Sequence, residues 1–261
     1  MLGGVVATVL VLAGAGRYTD PWHDAVAQAD EVAQVARALG HDVRVRSTRR
    51  ETFDEPGLLE WGPQLLVVVA GGMPRPPGDE PGTRADEGAA AGGGADEGGF
   101  ADVTDAGWRR FHDARQALVD AGTAVLGVHE AAYAFADDPR WAATIGGRWV
   151  LGRSWHPPYG PATFRAVDDE HPVTWSLREV TSDDERYADL AVSEGVHVLV
   201  VADVTPDEAG EDGTAGEHPV VWTVPGPTKV LYDALGHDAA AFASPSRRAL
   251  LAAELAWLLQ H

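Results

Sequence analysis

The sequence predicts an α/β fold: a mostly parallel sheet covered on both faces, with a β-rich C-terminal half. Three observations carry that reading. Continuous apolar runs such as LLVVVA (65–70) suit strands buried on both faces. Amphipathic helical patterns separate them, and the two alternate through the first half of the chain. The 261 residues are 45% hydrophobic, enough for one large core. No repeat or linker divides the chain, so one domain over 1–261 is the simplest organisation.

In order, Val5–Ala13 is a buried strand rich in β-branched residues. The apolar stretch around it vaguely resembles a signal peptide, but no Lys or Arg precedes it and it is too short to span a bilayer. A cytoplasmic protein is the expectation. Asp20 and Pro21 look like a helix start. That helix would run through Val26, Ala29, Val32, Ala33 and Ala36 to Leu39 and stop at Gly40. Asp42–Arg46 and Leu65–Ala70 are the next strands. A helix capped by Thr104 carries Trp108, Phe111, Ala114 and Leu118 and ends at Gly122; Thr123–Val128 is the fourth strand, with a helix expected from Ala131. At about 74–100 the pattern gives way to Gly, Pro, Ala and acidic residues, read as a flexible surface insertion. Later strands are expected at Thr163–Val167, Val196–Ala202, Pro219–Val224 and Lys229–Ala234, with a hairpin-like turn over GEDGTAGE (210–217). Ser244 and Pro245 open a last helix with Leu251, Leu255 and Leu258 on one face.

Composition narrows the chemistry. Forty acidic residues against 20 basic give a net charge of −20, which repels phosphate backbones and anionic lipid and argues against nucleic-acid and membrane partners. There is no cysteine, so disulfides, thiolate metal sites and cysteine nucleophiles are excluded. A phosphate-cradling GxxxxGK[ST] loop and an HExxH zinc motif are both lacking, and AGAGRYTD lacks the third glycine of a dinucleotide fingerprint.

In an open parallel sheet, ligands bind beyond the C-terminal ends of the strands. The loops in question hold His23 and Asp24, His129 and Glu130, and His237 and Asp238. Composition adds His156 in SWHPPYG and Asp184, Glu185 and Tyr187 in SDDERY. Each has a plainer role open to it. A histidine at a strand end can simply hydrogen-bond loop carbonyls, and Asp183–Glu185 can form a solvated turn. His41, His112, His171 and His218 read as turn, cap or surface positions. His129 and His237, however, would end strands on the same edge of the sheet, which predicts a shared cleft. No cofactor is assigned; a divalent metal such as zinc, held by dispersed His129, His156, His237 and Glu185, suits the donor types, but spacing alone does not fix its geometry.

Several stretches carry a family resemblance: GVHEAAYAF (127–135), WAATIGGRW (141–149), HPVTWSL (171–177), DDERY (183–187), HPVVWTV (218–224), KVLYDALGHD (229–238) and the final ELAWLL. In this order they resemble the ThuA-like, or trehalose-utilisation, family. The resemblance implies a flavodoxin-like, class I glutamine amidotransferase-like three-layer sandwich. In those amidotransferases the corner after the fourth strand carries a cysteine nucleophile; here His129 stands there, which excludes thioester chemistry. The family implies trehalose, related glycosides or keto-disaccharides as substrates, hydrolysed or cleaved by elimination. His129 would act as acid or base, His237 would be oriented by Asp238, and Glu185 would be a second carboxylate. Trp155, Tyr133 and Tyr187 would stack on the sugar, with Glu130, His23, Asp24 and His156 also contacting it. A non-catalytic carbohydrate-binding or regulatory module and a metal-dependent hydrolase are the alternatives, and homo-oligomer formation stays open. The chain departs from the family in Glu130, where a small polar residue is usual, in the acidic insertion, and in an N-terminal segment keeping only WHD.

Overall fold

Thr8–Ala13 forms β1, whose last five residues are all buried. The computed structural model describes residues 6–72, 106–211 and 213–260. The acidic insertion and the Thr104 cap lie outside them. After β1 come α1 (Ala25–Ala38), β2 (Asp42–Ser47), β3 (Leu65–Val69), α2 (Ala106–Asp120), β4 (Ala124–Val128) and α3 (Pro139–Ile145). The second half contributes β5 (Gly147–Arg148), β6 (Gly160–Ala166), β7 (Glu179–Asp184), β8 (Ala191–Val192), β9 (His197–Val204), α4 (Pro206–Ala209), β10 (Gly216–Val224), β11 (Val230–Asp233) and α5 (Pro245–Leu258).

Among the described residues nine strands form one sheet in the order β2-β1-β3-β4-β11-β10-β9-β6-β7. The first five are parallel and the rest join antiparallel. Every residue of β3 and β4 is buried, which is why both read as unbroken apolar runs. β2 is one edge, and Arg44 and Arg46 along it discourage further strand pairing. Neighbouring residues of β11 show the two covering layers. Tyr232, with Ile145 of α3, closes on Gly127, where a Cβ would lie 3.3 Å from the Tyr232 ring. Asp233 instead meets Arg247 of α5 at 2.7 Å. Successive strand residues face opposite sides, so α3 and α5 cover opposite faces.

Three local expectations are corrected. α1 starts at Ala25, capped by Asp24 through Ala27 N–H at 3.0 Å, not at Asp20. Asp20 instead accepts from Trp22 N and His23 N, so Asp-Pro opens a turn here. Beyond β4, residues His129–Tyr133 make a short 3₁₀ turn, and the α-helix waits until Asp138 caps Pro139. The third correction concerns β7. Asp183–Glu185, open in sequence to a solvated turn, instead close a strand with Val180, Ser182 and Asp184 inward.

Beneath the sheet, Asp233, Arg247 and Glu254 are fully buried together. Burial and the Asp233 charge push the Glu254 carboxyl well above the usual range, against the pull of Arg247, so it keeps its proton. A carboxyl raised on folding supports the native state below its unfolded value and loses that support as the pH rises. Glu254→Gln is therefore expected to leave the melting temperature unchanged near about pH 5 and to raise it by about 2–4 °C near about pH 9. Thermal melts across that range check it; an equal effect at both ends would contradict a protonated Glu254.

Candidate active site

The C-terminal ends of β1, β4 and β11 bring three imidazoles to one edge. His129 follows β4 directly and takes a left-handed backbone, φ 46°, rare for a residue with a side chain. That sharp corner, fixed by Tyr232 Oη donating to His129 O at 2.8 Å, turns the ring to the sheet edge. His23 arrives from the Asp20 turn, and His237 from the loop after β11. Glu185 comes from the far side of the sheet. Three strands separate β7 from β11, yet the antiparallel half curls back so far that Asp184 accepts from Gly236 N at 2.8 Å and His237 N at 3.0 Å. Glu185, one residue on, is thereby set against the histidines.

Donor atoms of His23, His129, Glu185 and His237 all lie within 4.8 Å of one another. His23 Nε2 is 3.2 Å from His129 Nε2. Glu185 Oε2 is 3.5 Å from His129 Nε2 and 3.2 Å from His237 Nδ1. Two donors on a cation bound tetrahedrally at ~2.0–2.1 Å would be about 3.3 Å apart, so these three spacings match. The surroundings also turn ring nitrogens inward. His129 Nδ1 donates to Ala234 O at 2.6 Å, leaving Nε2 as an acceptor. His23 Nδ1 donates to Asp20 at 2.8 Å, which turns its Nε2 to the cluster. A histidine whose second nitrogen donates to a carboxylate or carbonyl is the common arrangement of metal ligands. His237 Nδ1 is buried without a well-formed hydrogen bond.

Electrostatics separate the members. Burial, with repulsion from His23 and His237, lowers His129 to about 4 despite its contact with Glu185, so it is neutral. Burial also acts against charge on His23, but Asp20 outweighs it, helped by Glu130 and Glu185, and holds the ring up at about 9. Glu185 stays ionised: burial opposes this, while His129, His237 and His156 pull its carboxyl well below the usual range. Glu130 is buried, pushed up to about 7, and accepts from Gln28 Nε2 at 3.1 Å.

The structure thus joins His23, His129, Glu185 and His237, and puts His23 where the sequence suggests His156 among the donors. His156 backs the carboxylate instead: its Nε2 lies 3.4 Å from Glu185 Oε1, and its Nδ1 donates to Pro157 O at 2.9 Å. Asp238 does not orient His237; it accepts from Ala241 N at 3.0 Å and meets the Tyr159 hydroxyl. Asp24 is spent on its helix cap. Trp155 packs into a separate small cluster with Ala188, Val204 and Ala209, its Nε1 donating to Asp189 at 2.8 Å, so its ring is not offered to a sugar. Tyr187 is buried, with its hydroxyl 2.9 Å from His129 Nε2. Tyr133 packs against Gly72, where a Cβ would lie 2.5 Å from its ring. Reasoning from sequence passes over Asp20 as a site residue and Tyr159, whose ring lies 5.2 Å from that of His237. For Asp20, the three-residue spacing to His23 in DPWH is the available signal.

The fold and this imidazole–carboxylate edge define an α/β protein whose largely parallel sheet half carries three histidines and a carboxylate at its C-terminal edge. The sequence matches the family profile ThuA, described as trehalose utilisation, over residues 102–258, and the chain belongs to that family. A ThuA-like protein from Parabacteroides merdae superposes with a TM-score of 0.68 at 17% identity, covering 97% of this chain and 89% of that one. A ThuA-like protein from Bacteroides uniformis gives 0.65 at 17% identity, with 97% and 91% covered. A GMP synthase protein from Thermoplasma acidophilum gives 0.49 at 11% identity, with 96% and 93% covered. No curated protein matches the chain. Among the described residues no helix is long and apolar enough to cross a membrane.

Proposed function

We propose that this protein is a metal-dependent enzyme acting on a sugar derivative, trehalose-like or a keto-disaccharide, by hydrolysis or elimination. The convergence of His23, His129, Glu185 and His237, with Ala234 O holding the His129 lone pair inward and Asp20 turning His23 Nε2 to the cluster, carries the reading. Three imidazoles and a carboxylate suit zinc, manganese, iron or cobalt. Such a cation would polarise a sugar carbonyl or acidify a bound water. A substrate oxygen would join these donors on such a cation. The sugar class rests on the family's description as trehalose utilisation.

Direct acid–base work by His129 is the weaker reading, because an imidazole held at about 4 is a poor base at neutral pH. A purely sugar-binding module would have little use for a buried carboxylate aimed at three histidines. The test is turnover of a panel of disaccharides and keto-disaccharides with zinc, manganese or cobalt supplied, with a chelator, and with His129→Ala. Loss of at least about 100-fold with chelator and with the variant is expected. Full activity in either would overturn the proposal.

A further inference from the structure

Among the described residues one hydroxyl reaches a donor atom of the cluster. Tyr187 Oη lies 2.9 Å from His129 Nε2, and since His129 Nδ1 already donates to Ala234 O, the tyrosine O–H is the donor. The ring has little freedom to leave. It lies 4.4 Å from the His129 ring at a 34° tilt, and the Trp149 ring meets it edge-on at 4.7 Å. Among the described residues the hydroxyl makes no second hydrogen bond. A cation on the His129 lone pair removes its acceptor and leaves a buried donor beside the ion, a costly arrangement until another acceptor arrives. An oxygen of a substrate held by that ion would supply one.

We propose that Tyr187 donates its hydroxyl hydrogen to the metal-held oxygen of the substrate, as a catalytic residue and not as a stacking platform. The inference rests on the metal-dependent reading above. It assigns the substrate a carbonyl or hydroxyl oxygen that touches metal and phenol together, as a keto sugar or a glycoside hydroxyl does. Trp149 and His129 then serve to hold the phenol, which explains why the aromatic ring at this point is enclosed and not exposed to a sugar face.

Cobalt(II) as the metal and acetohydroxamate as an oxygen-donor probe separate the roles, with visible absorption of the bound ion as the readout. Tyr187→Phe keeps the ring and removes only the hydroxyl. The variant is expected to bind cobalt at least as tightly as the natural protein, because a competing hydrogen bond to His129 is gone. Acetohydroxamate binding to the cobalt-loaded variant is expected to weaken by roughly 10- to 100-fold, the range for a hydrogen bond to a charged acceptor. Unchanged acetohydroxamate affinity would overturn the proposal. So would a fall in cobalt affinity of tenfold or more, roughly the loss seen when a group supporting a metal ligand is removed, since the hydroxyl would then be a prop for His129. Failure of the natural protein to bind cobalt would instead remove the metal reading itself, a separate outcome visible before the variant is made.

Discussion

Zinc binding is expected to release close to one proton per ion at neutral pH and to tighten as the pH rises toward about 9. The proton belongs to His23. In the free protein its ring is held at about 9 by Asp20 with help from Glu130 and Glu185, so below that pH it is cationic, and the Nε2 that faces His129 carries a hydrogen. A cation must displace that hydrogen, while the Nδ1 hydrogen stays with Asp20. Each pH unit below about 9 therefore costs up to ~10-fold in affinity from this group alone. His129, at about 4, adds no such cost near neutrality. Calorimetry in two buffers of different ionisation enthalpy counts the proton directly. Asp20→Asn removes the carboxylate that holds His23 up, leaving burial to depress it, so proton release near neutral pH should fall toward zero. His129→Ala is expected to weaken zinc by at least about 100-fold. An affinity that does not vary between about pH 6 and about pH 9 would remove His23 from the ligand set.

The sequence and the structure part company where chemistry depends on the curl of the sheet. β3, β4 and α5 are legible because burial on both faces, or along one stripe, writes itself into the apolar pattern. His129 and His237 are legible as strand-end residues for the same reason. β7 is not. Its inward side chains are Val180, Ser182 and Asp184, and the last of these is bound by backbone N–H groups instead of apolar neighbours. Nothing in a linear pattern says that a polar edge strand will return to the far end of β11. Glu185 enters the candidate set by composition and family likeness; the structure supplies the reason for its position. His156 and His23 illustrate a second limit. Both stand in polar loops that contain proline, and only the Asp20 turn, a contact of three residues, decides which one joins the cluster.

Asp184→Ala is expected to be among the most damaging single changes outside the donor set. The carboxylate is buried and accepts from three backbone groups: Gly236 N, His237 N and Glu185 N, the last at 2.9 Å. Truncation strands three buried N–H donors, and a loss of about 3–5 kcal/mol is expected from denaturant unfolding. The same contacts join the loop of His237 to Glu185, so zinc affinity should fall by roughly 10- to 100-fold even where the variant remains folded. Asp184→Asn keeps one acceptor oxygen and should lie between. The pH dependence identifies the cause. Burial pushes the Asp184 carboxyl up to about 6, against the pull of its N–H partners and Arg247. Its contribution to stability is thus complete below about pH 4 and declines as the pH rises through about 6. The gap between natural protein and Asp184→Ala should be wider near pH ~4 than near pH ~8. A gap that widens with pH would mean that the ionised carboxylate is the favoured form, and that its three backbone partners outweigh the cost of burying it.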